Sequence, residues 1–442
     1  MRTMADAQDG AMSGVINSFE ALQSDDQKEQ ILNYEGLVRK EMTRIHDEYL
    51  SIWDGINYGK EPRVIFDELA IRTQLLAKLQ SKSLPSLRRH ANGLSKALLL
   101  CRSDPPLDNQ PEPAVYKMKL VLKALSKLDS TLRDIKFAIA CISPDLDIEK
   151  MRDDKDFKQL KFFRSYRLAV RTYAVTGIVC ELLRISCGHV KESGHMFNED
   201  PSKRLGVETM ATACSESVNQ TLIYMSKSEV NIFQDAWELD IESMSDSLEK
   251  FVKFMHQSQS ELKEEEEEYS HSLAGRGPPG AHSARPANNA SQPPIPTDPQ
   301  LSHTTIFVIS IIKLSRMLVA KILKISTGKE NLTMVSDLSS RELELLVRTT
   351  EALSDSIVKL VGALSDDDPD HQFDALMTIK RSISHLLSAP RVILELLQHI
   401  FRPVDPDQLS SKIHLKAWFN QWNILYHLAT RNFVGDLGFP IP

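Results

Sequence analysis

Apolar residues recur every three or four positions along most of this chain, the spacing that gathers them on one face of an α-helix. The clearest run is Val115, Met118, Leu122, Leu125, Leu128, Leu132, Ile135, Ile139 and Ile142, stopped by Ser143-Pro144. It predicts a helix whose stripe packs in a bundle. Further helices are predicted over about 27–56, from Pro62 onward, over 87–101 and over 156–189. Pro85 is expected to divide the second from the third, because a proline inside a helix removes a hydrogen bond and crowds the preceding turn. Helix resumes near Val207 and runs toward a glutamate cluster, with a break near Ser226.

The pattern stops between Lys263 and Pro299. Glu264 to Glu268 form an acidic run, and seven of the 21 prolines fall between Pro278 and Pro299. Such a stretch buries too little apolar surface to offset the entropy of ordering it. After it, a helix over 301–327 ends at Gly328. The next opens on Ser339-Ser340-Arg341-Glu342, a capping-box pattern with Ser339 as N-cap. Its stripe is Leu343, Leu346, Leu353, Ile357, Leu360 and Leu364. Phe373, Leu376, Ile379, Ile383 and Leu386 mark another helix, expected to be divided at Pro390 from a piece over 392–401. A last helix covers about 409–429. No long run alternates with period two, so strands are not expected.

The expected fold is therefore all-α. Two bundles of long amphipathic helices, 21–262 and 301–435, are separated by a disordered acidic and Pro/Gly-rich linker over 263–300. A disordered N-terminus over 1–20 and a tail over 436–442 complete it. The chain length of 442 residues agrees with two domains, and only 17 glycines favour long helices over tight turns.

The net charge of −7 argues against a general nucleic-acid binder, which needs a basic excess to displace phosphate counterions. No nucleic-acid partner is expected. The five cysteines, Cys101, Cys141, Cys180, Cys187 and Cys214, show no CxxC spacing and lie in or beside apolar runs. They read as buried free thiols of a reducing compartment. The most hydrophobic helix carries Lys313, Arg316, Lys321 and Lys324, which argues against a membrane span. The first residues carry Asp6 and Asp9 and no apolar core, unlike a signal peptide. A cytoplasmic or nuclear location, or both, is the expectation.

Candidate chemistry is sparse. Neither GxxxxGK[ST] nor GxGxxG occurs. Two Glu-x-x-His pairs, Glu192 with His195 and Glu268 with His271, match the spacing of bundle metal sites, but they fall in a Gly-broken loop and in the linker. Cys180 and Cys187 share a helix face, read as core packing rather than thiolate ligation. No metal or cofactor is expected.

Lys161, Arg164, Arg167 and Arg171 recur at helical spacing after Lys155 and Lys158. At about 100° per residue they share one sector, with Phe162, Phe163, Tyr166, Val170 and Tyr173 opposite. The aromatics are then core and the basic side chains a solvated stripe, with partner binding as the alternative. Trp418 and Trp422, at i,i+4 on the last helix, are a second candidate partner anchor, since aromatics are enriched at hot spots. Core packing is the preferred reading of that pair.

Phe233-Gln-Asp-Ala-Trp-Glu-Leu-Asp leads into the glutamate run, and the helices over 306–387 follow the linker. With Ile311-Ile-Lys-Leu-Ser-Arg-Met-Leu and Leu353-Ser-Asp-Ser-Ile-Val-Lys-Leu, this order of parts resembles the cyclin-D-binding family, the Grap2 and cyclin-D-interacting protein type. The resemblance implies an all-helical regulator that binds other proteins, without catalysis, connected to the cell cycle or transcription. The functional expectation is thus a non-enzymatic adaptor that binds proteins through helix faces. A cytoskeletal or membrane-peripheral helical scaffold is the first alternative. An enzyme with a site assembled from distant residues is the second.

Overall fold

The structure, a computed structural model, describes residues 27–50, 69–99, 113–143, 154–193, 201–274, 299–328, 332–334, 338–365, 372–403 and 409–439. Contacts divide the chain into two compact units, Met1–Lys227 and Ser228–Pro442. The division falls well before the expected linker, so the domain limits 21–262 and 301–435 are corrected. The helix running into the glutamate cluster opens the second unit rather than closing the first. The break near Ser226, read from sequence as a local interruption, is the boundary. Of the expected linker, 263–274 are helical, and 275–298 lie outside the described residues, as do 1–20.

The first unit is built from α1 (Gln27–Leu50), α2 (Leu69–Lys78), α3 (Leu84–Leu99), α4 (Pro113–Ile142), α5 (Phe162–Ser193) and α6 (Pro201–Ser226). Their packing closes a ring: α1 touches α4 and α5, α5 touches α6, α6 touches α3, and α3 touches α4. The apolar stripe of α4 enters the core as expected, with Val121 replacing Leu122 among its fully buried positions.

Pro85 does not divide α2 from α3. A π-helical turn, Leu79–Ser83, joins them, and the Leu84 N–H donates to the Leu79 carbonyl. The wider i→i+5 turn takes up the register shift that an inserted proline demands. Leu79, Leu84 and Leu87 are fully buried on both sides of it, so packing holds the helix together.

One polar cluster ties α1 to α4. Asp129, nearly buried, receives Arg44 at 3.0 Å, Arg133 at 3.0 Å and the Tyr49 hydroxyl at 3.2 Å. Burial, followed by the Asp129 charge, raises the Tyr49 pKa. Arg72, also buried, donates to the Ile142 carbonyl at 2.8 Å and closes the C-terminus of α4.

The second unit comprises α7 (Glu229–Ala274), α8 (Pro299–Ser326), β1 (Leu332–Met334), α9 (Ser340–Leu364), α10 (Gln372–Ile400), β2 (Phe401–Pro403) and α11 (Leu409–Asp436). It also closes a ring, in the order α7, α8, α11, α10, α9 and back to α7. The two three-residue strands pair antiparallel, Thr333 opposite Arg402, and were not expected from sequence. Three residues are too few to show an alternating pattern.

The Ser339–Glu342 capping box forms with both reciprocal bonds. Gly328 ends α8 at φ +73°, a backbone setting open to glycine at little cost. Pro390 lies inside α10 without dividing it. Ile383, Leu386, Ala389, Ile393 and Leu397 stay in helical phase across the proline and are buried, so the packed stripe outweighs one lost hydrogen bond.

Candidate functional site

The basic residues of α5 do not form a solvated stripe. Lys161 is 2% exposed and Arg164 is 7% exposed, whereas Tyr166 and Val170 face solvent. The helical count holds, but the sector that packs inward is the basic one, which also carries Leu168 and Thr172. Lys155–Leu160 form a 3-10 turn with Lys158 at φ 48°, and the α-helix starts only at Phe162. Asp154 accepts the Phe162 N–H at 2.9 Å and fixes that start. Counted from there, Phe163, Arg164, Leu168 and Thr172 point inward.

The arginines serve the packing of α5 on α6. Arg164 donates to the Met225 carbonyl at 3.4 Å, and the Tyr224 hydroxyl donates to the Arg164 carbonyl at 3.2 Å. The Arg167 guanidinium lies 4.0 Å from the Phe163 ring centroid, and that of Arg171 lies 4.7 Å from the Tyr224 centroid. Arg171 alone among the four candidate basic residues is exposed.

The two tryptophans also separate. Trp422 is buried, stacks on Tyr426 at 4.9 Å and donates its indole N–H to the Leu314 carbonyl at 2.8 Å. It is core, and its candidacy as an exposed anchor is corrected. Trp418 is half-buried, with Lys321 Nζ 5.5 Å from its ring centroid.

Cys180 and Cys214 are buried free thiols, and Cys141 and Cys187 are half-buried and free. Burial pushes the Cys180 thiol up to about 11 and the Cys214 thiol up to about 12, which makes both poor nucleophiles. Cys187 lies 3.9 Å from the Thr43 hydroxyl, and Cys180 points at the His46 carbonyl. The side chains of Glu192, His195, Glu268 and His271 lie outside the described residues. Among the described residues, no three His, Cys, Asp or Glu side chains are gathered as metal ligands.

The second unit carries a surface feature that the sequence reading did not single out. Helices α7 and α9 leave a groove of about 510 Å³, lined by Leu239, Glu242, Ser243, Asp246, Ser247, Lys250, Val358 and Val361. Its geometry follows from the α7 repeat. Phe233, Trp237, Asp240, Met244, Ser247 and Phe251 are buried at alternating steps of four and three, the spacing of a packed seam. Leu239 falls outside that seam and is 65% exposed; Val358 is likewise outside the α9 stripe and 42% exposed. Both apolar side chains open onto the groove. The signal was legible as two apolar residues out of phase with their own helices.

Beneath this face lies a polar position within the seam. Asp240 is buried, and its backbone carbonyl accepts the Ser354 hydroxyl at 3.4 Å. Its Oδ2 is buried without a hydrogen-bond partner, as is the indole N–H of Trp237 one turn earlier. Burial, reinforced by Glu351 and Asp355, pushes the Asp240 carboxyl up to about 7, against the effect of the neighbouring Thr350 hydroxyl.

Two family models match the chain. One, described as a domain of unknown function (DUF8723), covers residues 72–226; the other, also a domain of unknown function (DUF8721), covers 228–435. The junction between them coincides with the division between Lys227 and Ser228. No curated protein and no solved structure matches the chain.

Proposed function

We propose that the protein is a non-enzymatic adaptor that docks another protein in the α7–α9 groove of its second unit. The observation supporting this reading is the groove's composition: the exposed aliphatic side chains of Leu239 and Val358 beside the charged side chains of Glu242, Asp246 and Lys250. That layout suits a helix laid between two helices, with apolar anchors at i, i+3 or i+4, and i+7. From Leu239 to Lys250 the groove spans about 16 Å at 1.5 Å per residue, or three turns of a partner helix.

The resemblance to the cyclin-D-binding type would give such an adaptor a place in the cell cycle or transcription, in cytoplasm or nucleus. No described helix is long and apolar enough to cross a membrane. A scaffold that used Lys161, Arg164, Arg167 and Arg171 would need them solvated, but Lys161 and Arg164 are buried and Arg167 packs on Phe163.

Leu239→Glu tests the reading, because Leu239 is largely solvated in the free protein and its replacement leaves the core intact. Quantitative affinity purification of the full chain should recover a set of proteins with the wild type that falls about tenfold or more with Leu239→Glu. Identical recoveries, together with unchanged thermal unfolding, would remove the groove as the docking site. Stoichiometric copurification of a small molecule or metal would favour the enzyme alternative.

A further inference from the structure

We infer that the occupant of the α7–α9 groove is a basic amphipathic helix, one with an aliphatic stripe flanked by lysine or arginine. This rests on the groove being a docking site and names the chemistry of what docks.

The argument is the arrangement of charge. Glu238, Glu242 and Asp246 repeat every four residues on the outer face of α7, and all three are exposed. Like charges at i,i+4 destabilise a helix. Neither Glu242 nor Asp246 has a hydrogen bond or ion pair among the described residues. Elsewhere on these helices the opposite habit prevails: Glu249 meets Lys253 at 2.7 Å, Glu344 meets Arg348 at 2.7 Å, and Asp355 meets Lys359 at 3.7 Å. Of Glu238, Glu242 and Asp246, the last two line the groove.

On α9, Glu351 and Asp355 lie near enough to act on the Asp240 carboxyl, and Asp355 is paired with Lys359. Among the lining residues, Glu242 and Asp246 occupy the first two turns and Lys250 is the single cation, at the far end. A partner helix therefore places its basic residues against Glu242 and Asp246, and its less basic end beside Lys250. This polarity fixes direction as well as class, since rim charges set register and steer encounter. The same field repels phosphate and anionic headgroups, which disfavours nucleic acid and membrane as occupants of this face.

Synthetic helical peptides about 14 residues long, enough for the three turns the groove spans, provide the test. One carries a leucine stripe flanked by lysine; its counterpart carries the same stripe flanked by glutamate. Isothermal titration of the full chain should show the lysine peptide binding at least tenfold more tightly than the glutamate peptide, with affinity falling as salt rises. Glu242→Lys combined with Asp246→Lys should reverse the preference. Leu239→Glu should weaken the lysine peptide about tenfold.

Equal binding of the two peptides, both sensitive to Leu239→Glu, would overturn the basic class while leaving the groove as a docking site. A lysine preference insensitive to both Leu239→Glu and the charge reversal would be nonspecific attraction to a chain of net charge −7, and would overturn both readings. Circular dichroism of each variant separates lost binding from lost fold.

Discussion

Asp240→Asn makes the second unit more stable above pH 7 and less stable, by about 1–3 kcal/mol, at pH 4. The carboxyl is buried, its Oδ2 has no partner, and its pKa stands at about 7 in the folded chain. An ordinary aspartate in the unfolded chain ionises near 3.9. The folded state therefore holds the proton over a range where the unfolded state has released it. For a carboxyl raised in this way, stability falls as pH rises from about 4 to 7, by at most about 1.4 kcal/mol per unit, and levels off above. The accumulated cost is on the order of 4 kcal/mol. Asparagine removes the ionisation but brings a buried amide donor, whose unsatisfied cost is about 1–3 kcal/mol. The net gain at pH 8 is then about 1–3 kcal/mol. Urea unfolding of both proteins at pH 5 and pH 8, followed by tryptophan fluorescence, measures it. Parallel pH dependences would show that Asp240 titrates as a solvated side chain.

Trp422→Ala and Trp418→Ala should behave as different kinds of substitution despite their i,i+4 spacing. Trp422 is buried, stacked on Tyr426 and hydrogen-bonded to the Leu314 carbonyl, so truncation empties a large core site and removes a hydrogen bond to α8. The expected loss is about 3–5 kcal/mol, enough to unfold a marginal unit. Trp418 is half-buried and borders Lys321, so its truncation should cost about 1 kcal/mol or less. Differential scanning calorimetry distinguishes them: the Trp422 variant loses or shifts the transition of the second unit, while the Trp418 variant retains it. Similar small shifts for both would contradict the placement of Trp422 in the core.

Much of the architecture was legible because long helices write their burial into periodicity. The stripe of α4 and the capping box at Ser339 were read directly, as was the glycine stop at Gly328. The misreadings share one physical cause: a local rule was applied where longer-range packing decides. Pro85 and Pro390 were expected to end helices, but buried residues on both sides of each carry the helix through, with a π-turn absorbing the register shift before Pro85. The basic stripe was assigned to solvent because it is charged, yet its sector, with Leu168 and Thr172, is the one that packs inward. The domain boundary was sought where composition changes. It lies instead at a short turn between Ser226 and Glu229, because which neighbours a helix packs against is not written in its own sequence. The groove was missed for the opposite reason. Leu239 and Val358 are single apolar residues out of phase, and only their meeting across two helices makes them a site.

The placement of α7 carries the rest, since without it in the second unit there is no groove between α7 and α9. Expression of 228–442 alone tests it most directly. Three of the four tryptophans, Trp237, Trp418 and Trp422, lie in that segment, so fluorescence and near-ultraviolet circular dichroism report its packing. The fragment should be helical, unfold in one cooperative transition and show a blue-shifted, buried Trp237 signal. A fragment that is unfolded or noncooperative, while 1–262 and 301–442 each fold as stable pieces, would return α7 to the first unit and remove the groove with it.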